Sequence, residues 1–220
     1  VNNDTFTDLV TANFDSAGVS VLLNDGFGVF TDAAGSPFPS FARPWSIQIG
    51  LIDSDLIPDI ALANYNANTT VRVYQGAGDG TFTEFLNSPF DVEANKPHSV
   101  EITDLDGDSN ADIVVANDNE LASPVTADTT GVTALFGDGT GTSFTVTHYP
   151  LGGQPNGVVS LDLDSSTNQI DLAVANGSTG NVDVLLSAPI VNPPTANPGV
   201  LSVNEDTAEN GTLTGTDGDG

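Results

Sequence analysis

Four stretches of the chain are versions of one another: NNDTFTDLVTAN from Asn2, DSDLIPDIALAN from Asp53, DLDGDSNADIVVAN from Asp104 and DLDSSTNQIDLAVAN from Asp162. Each runs from an acidic loop into an apolar strand that ends in Ala-Asn. The closing aspartates Asp8, Asp59, Asp112 and Asp171 recur at intervals of 51, 53 and 59 residues. One unit of this size cannot bury both faces of its own structure, so neighbouring units must stack on one another.

The remainder of each unit repeats as well. A second alternating strand follows Ala-Asn: VSVLL from Val19, VRVYQ from Val71, VTALF from Val132 and VDVLL from Val182. Period-two alternation of valine and threonine reads as strand. The first three units then enter Asp25-Gly26, Asp79-Gly80 and Asp138-Gly139. Asp-Gly between strands predicts a two-residue hairpin turn with positive φ at both central residues. A further strand is expected near Phe30, Phe82 and Phe144. Pro44, Pro97 and Pro155 each open the strand that precedes the next acidic loop. The unit is thus four short antiparallel strands, and no stretch reads as a helix. Four-stranded units stacked radially are the blades of a β-propeller. An array of β-sandwiches explains the strands but not the single repeated loop per unit.

The loops carry the chemistry. Of 30 acidic residues only six are glutamate, and three cations oppose them, for a net charge of -27. Aspartate favours turns and hard-cation sites, where a solubilising helical surface would favour glutamate. In the third loop Asp104, Asp106 and Asp108 stand at positions one, three and five. Asn110 offers its carbonyl at seven, and Asp112 closes at nine. An all-oxygen donor set of this size fits Ca2+ better than magnesium. It is no EF-hand, because position twelve is Val115 and no helices flank it. The second loop has Leu51 in place of its first acid and keeps Asp53, Asp55, the Ile57 carbonyl and Asp59. The first offers Asn2, Asp4, the Phe6 carbonyl and Asp8. The fourth has one extra residue between Asp162 and Asp171 and adds Asp164. Such loops repel themselves when empty, and sites of roughly 0.1–1 mM affinity fill only at extracellular calcium levels. The expected location is therefore extracellular or at a cell surface.

The third unit, with Asp104, Asp106, Gly107, Asp108 and Asp112 followed by IVVAN and LFGDGTG, resembles the FG-GAP/VCBS repeats, the blades of integrin α-subunit propellers and of large bacterial surface proteins. The resemblance spans residues 1 to about 189. It implies an all-β partial β-propeller of about four blades over 1–187, each of four antiparallel strands, with first and last blades incomplete. It also implies a bacterial surface or filament protein. Residues 188–199 hold Pro189, Pro193, Pro194 and Pro198 and read as a stiff linker. Residues 200–220, with VNEDT, resemble the start of a bacterial cadherin-like repeat. The missing opening strand of the first unit and the absent fourth strand of the last fit the C-terminal part of a ring. The chain starts at Val1 and contains no methionine, which fits a processed product or a fragment.

Composition excludes several functions. Three cations cannot form the basic stripe that nucleic acid requires. No apolar run reaches the length of a membrane span. With no cysteine there are no disulfides, thiolate sites or cysteine nucleophiles. His98 and His148 stand far apart, and no G-x-S-x-G elbow is present, so no catalytic role is expected. Asn3, Asn68, Asn176 and Asn210 begin glycosylation sequons. Two of the three cations share one repeat position: Arg43 and Lys96 precede Pro44 and Pro97, while Trp45 and His98 follow them. The unit-four counterparts are Gln154 and Asn156. Equivalent positions on a propeller lie on one face, so these residues mark either a recognition zone for acidic or sugar-bearing partners or local packing. The chain therefore reads as a calcium-stabilised structural or adhesive module of a large protein. The alternative is a carbohydrate- or protein-binding propeller, attached or not to a catalytic domain elsewhere.

Overall fold

The computed structural model describes residues 1–40, 43–65, 70–92, 96–118, 130–163 and 170–187. Asp164, the segments 188–199 and 200–220, and the sequons at Asn68 and Asn210 lie outside the described residues.

All regular structure among the described residues is β, in four antiparallel sheets. The first contains β1 (Leu9–Asn13), β2 (Gly18–Asn24), β3 (Phe30–Asp32) and β4 (Phe38–Pro39). The second contains β5 (Pro44–Gly50), β6 (Asp59–Asn64), β7 (Thr70–Gly76), β8 (Phe82–Glu84) and β9 (Phe90–Asp91). The third is β10 (Pro97–Thr103), β11 (Asp112–Asn117), β12 (Gly131–Gly137) and β13 (Phe144–Pro150). The fourth is β14 (Pro155–Leu161), β15 (Asp171–Asn176) and β16 (Asn181–Leu185). Each proline opens its strand as expected. The first sheet lacks a counterpart of β5, and the described part of the fourth has three strands.

Stacking explains why the second strand of the two middle units is apolar throughout rather than alternating. β6 and β11 are buried along their whole length because a sheet lies on either side. Ile60 and Leu62 pack with Val19 and Val21 of the first sheet. Ala61 and Ala63 pack toward Ile113 and Val115 of the third. Val114 and Ala116 continue the series against Val158 and Val174 of the fourth. The core is thus three successive layers between sheets. Adjacent opening strands also touch, and serine hydroxyls of one accept backbone N–H groups of the next: Val100 N to Ser46 Oγ at 3.4 Å and Val158 N to Ser99 Oγ at 3.3 Å.

Two details depart from expectation. The outer strand of the first two sheets is split, β3 and β4 both pairing with β2, and β8 and β9 both with β7. At the break a serine hydroxyl replaces the missing strand partner: Val21 N donates to Ser36 Oγ at 2.9 Å and Val73 N to Ser88 Oγ at 3.1 Å. The third sheet has no break, and β13 pairs with β12 over its full length. The Asp-Gly turns are also not of the type expected. Gly26, Gly80 and Gly139 have positive φ, but the aspartates before them do not. The aspartates act through their side chains instead. Asp79 Oδ1 accepts from Thr81 N at 2.9 Å, and Asp138 Oδ1 from Thr140 N at 3.0 Å, while the second positive φ near each turn falls on another glycine, Gly28, Gly78 or Gly141.

Candidate functional site

Strands β5 and β10 carry an acidic loop at one end and a cationic, aromatic group at the other. The two candidate sites therefore sit at opposite ends of the same sheets.

The acidic loops contain two kinds of carboxylate. The closing aspartate points inward and accepts backbone donors on both oxygens. Asp112 accepts from Leu105 N at 2.8 Å and Gly137 N at 2.9 Å. Asp59 accepts from Ile52 N at 2.9 Å, Asp53 N at 3.2 Å and Gly76 N at 2.9 Å. Asp171 takes Leu163 N and Ser187 N, each at 2.8 Å. Asp8 takes the Val1 amine at 2.8 Å and Asn24 N at 2.9 Å. In units two to four one oxygen thus holds the entry to the loop and the other the end of the third strand or the residues just after it. The sequence reading counted these four only as metal ligands and missed the clamp. The glycine that ends the third strand in units two and three was the available signal. At Gly137 a Cβ would lie 2.3 Å from Ala111 O, so only glycine brings this N–H close enough.

The other carboxylates point outward. Among the described residues, Asp104, Asp106 and Asp108 form a group whose ligand oxygens all lie within 4.8 Å of one another. The loop backbone shapes the group: Gly107 N and Ser109 N donate to Asp104 at 2.8 and 3.0 Å, Asp108 N to Asp106 at 3.1 Å, and Asn110 N to Asp108 at 2.7 Å. Burial raises the Asp106 carboxyl above its ordinary range, and the charges of Asp108 and Asp104 add to the effect. Burial pushes Asp112 up to about 7 against its two backbone donors. A hard divalent cation would reverse this bias, and the all-oxygen donor set fits one.

The remaining loops are less complete. Asp53 and Asp55 share the Gln75 amide, whose Nε2 lies 2.8 Å from Asp53 Oδ2 and 3.4 Å from Asp55 Oδ2. Leu51, at the missing acid, is exposed. Ile57 N is tied to Asp55 Oδ1 at 2.8 Å. In the first loop Asn2 Nδ2 donates to Asp4 Oδ2 at 2.7 Å and Phe6 N to Asp4 Oδ1 at 2.9 Å. Asp162 is exposed at the edge of the fourth loop.

At the opposite end, Arg43, Trp45, Lys96 and His98 come together as one cluster, joined by Phe14 and Tyr65, which the sequence reading did not single out. Trp45 stacks on Tyr65 at 5.0 Å between centroids and meets Phe14 edge-on at 5.3 Å and His98 at 5.0 Å. Arg43 Cζ lies 5.1 Å from the Phe14 centroid and Lys96 Nζ 5.0 Å from that of Tyr65. His98 Nε2 is 3.7 Å from Asp118 Oδ2. Phe14 and Tyr65 directly follow the Ala-Asn ends of β1 and β6, a repeat position that would have revealed them. Gln154 instead hydrogen-bonds through its backbone N–H to Asn176 Oδ1 at 2.9 Å and brings no aromatic ring.

Residues 52–115 match the model of the FG-GAP-like repeat, a span running from the second acidic loop into β11. No curated protein matches the sequence. Among solved structures the chain is similar to the one titled "Crystal structure of BBS1N in complex with ARL6DN, soaked with lead", with a TM-score of 0.50 and 14% identity over 80% of this chain. The chain spans 45% of the length of that neighbour, which is of β-propeller type. The chain is accordingly an all-β, unclosed partial β-propeller, and the repeat match points to a structural or binding module. Among the described residues no helix is long and apolar enough to cross a membrane.

Proposed function

We propose that the chain is a calcium-stabilised structural or adhesive module of a larger protein that works outside the cell. The convergence of Asp104, Asp106 and Asp108 in the one loop with a complete alternating set of oxygen donors supports this reading. These three side chains, with the Asn110 carbonyl, would hold the ion, and the bound cation would neutralise loop charge that otherwise opposes folding. Asp112 would contribute mainly by fixing both ends of the loop. The other loops would bind more weakly, since Gln75 already lies between Asp53 and Asp55. Calcium at a hundredfold excess over its dissociation constant adds about 2.7 kcal/mol per site. For a chain of this size that raises the melting temperature by about 5–10 °C. The reading assigns no catalysis, because the repeated aspartates are engaged as clamps and ligands.

The test is thermal melting of the metal-stripped chain with and without calcium, for wild type and Asp106→Asn. Calcium should raise the wild-type midpoint and raise that of the variant much less. An equal rise in both, or none in wild type, would refute the reading.

A further inference from the structure

We infer that the Trp45 cluster is a binding site for a uronic acid residue of an anionic polysaccharide, which gives the adhesive reading above a ligand class. Trp45 is the chain's only tryptophan and is 49% exposed. Its indole is held by Tyr65, Phe14 and His98, so it is a fixed ring that loses little freedom when a ligand covers it. Arg43 is exposed, and its guanidinium rests on the same Phe14 ring that supports the indole. In a chain with 30 acidic residues, Arg43 has no carboxylate partner among the described residues. Lys96 is nearly buried against Tyr65, and His98 sits beside Asp118, so these two support the platform from behind.

The site therefore presents a half-exposed indole and one planar cation, both resting on the same Phe14 ring. A uronic acid carries the complement on a single six-membered ring: a face of C–H groups for the indole and one carboxylate for the guanidinium fork. An acidic peptide matches less well. It offers carboxylates to the guanidinium but no apolar ring face to cover the indole. A neutral sugar would leave the guanidinium without a partner. The acidic loops lie at the far end of β5 and β10, so the site does not depend on a metal bridge.

The experiment titrates the full 220-residue chain, in saturating calcium, with tetragalacturonate, its methyl ester and a glutamate tetrapeptide. Emission of the single tryptophan and calorimetry give the readout. Tetragalacturonate should bind and shift the emission, with the ester and Arg43→Gln each weakening binding about tenfold or more. Trp45→Phe, which keeps an aromatic ring in the packing, should weaken it severalfold, and Asp106→Asn should leave it unchanged. Absence of binding at about 10 mM would overturn the inference. So would equal affinity in Arg43→Gln, tighter binding of the tetrapeptide, or binding lost in Asp106→Asn but kept in Trp45→Phe, which would place the sugar on a calcium ion.

Discussion

Replacing Asp59 with alanine removes the acceptor of three backbone donors at once. Ile52 N and Gly76 N are buried where they meet the carboxylate, and Asp53 N is partly so. A buried donor left without a partner costs about 1–3 kcal/mol, which bounds the loss at about 3–9 kcal/mol. Two effects reduce it. Burial raises the Asp59 carboxyl above its ordinary range, so removing it relieves a desolvated charge, and the nearby Asp53 charge is relieved with it. Asp53 N, at the rim, can turn to water. The expected net loss is about 3–5 kcal/mol, a large share of the ~5–15 kcal/mol margin of a domain. In a chain of this size that lowers the melting point by about 10 °C. The assay is thermal unfolding in chelator, so that no metal contributes, with Asp55→Ala as the companion variant. Asp55 is exposed and, among the described residues, accepts from Ile57 N and the Gln75 amide, so its loss should change the chelated midpoint little. If Asp59→Ala melts within about 1 kcal/mol of wild type, or no lower than Asp55→Ala, the clamp does not hold the unit together.

Other consequences follow from the same geometry. Gly137→Ala would place a Cβ 2.3 Å from Ala111 O and push Gly137 N off Asp112, so a fall in melting point of several degrees is expected by circular dichroism. Ser88→Ala leaves Val73 N without its acceptor at the break in the outer strand and should cost about 1–3 kcal/mol in denaturant unfolding, with Ser88→Thr costing less. The metal-free chain should lose stability as pH rises. Asp112 is pushed up to about 7 in the fold against about 3.9 unfolded, so its contribution is full below about 4 and is lost as pH rises through about 7. Melting of stripped protein at pH 5 and pH 8 measures this, and Asp112→Asn should flatten the difference; a higher midpoint at pH 8 would contradict it.

The repeat was legible because a stacked sheet imposes one pattern on every unit. The continuous apolar runs DIALAN and DIVVAN record burial on both faces, and the prolines before β5, β10 and β14 mark strand starts. What stayed hidden was carried by single atoms. The hydroxyls of Ser36 and Ser88 complete a ladder, a role that depends on where the outer strand breaks. Asp-Gly promised a turn type that the aspartate side chains made unnecessary. The closing aspartate and the three before it look alike in sequence. Only their direction, into the sheet or out of it, separates clamp from ligand. Register along the Pro-flanking positions pointed to Arg43, Trp45, Lys96 and His98, but the rings that join them, Phe14 and Tyr65, lie just past the ends of β1 and β6.

The separation of clamp from candidate ligand bears on how calcium would act. The outward positions vary from loop to loop: the second has Leu51 for its first acid, the first has Asn2, and the fourth carries an extra residue. The clamp does not vary. Asp59 and Asp112 each reach a nitrogen seven residues earlier, and Asp171 reaches one eight residues earlier. Each of these aspartates also holds the close of the third strand. The link between loop and sheet in units two to four is therefore made by these hydrogen bonds. Calcium bound at such a loop, as proposed, would neutralise the outward carboxylates without building the connection. Removing it should lower the melting point while leaving unfolding cooperative and the far-ultraviolet circular dichroism at room temperature unchanged. A chain that loses its strand signal in chelator at room temperature would show that the carboxylate clamps are too weak to hold the sheets, and that the ion is part of the fold itself.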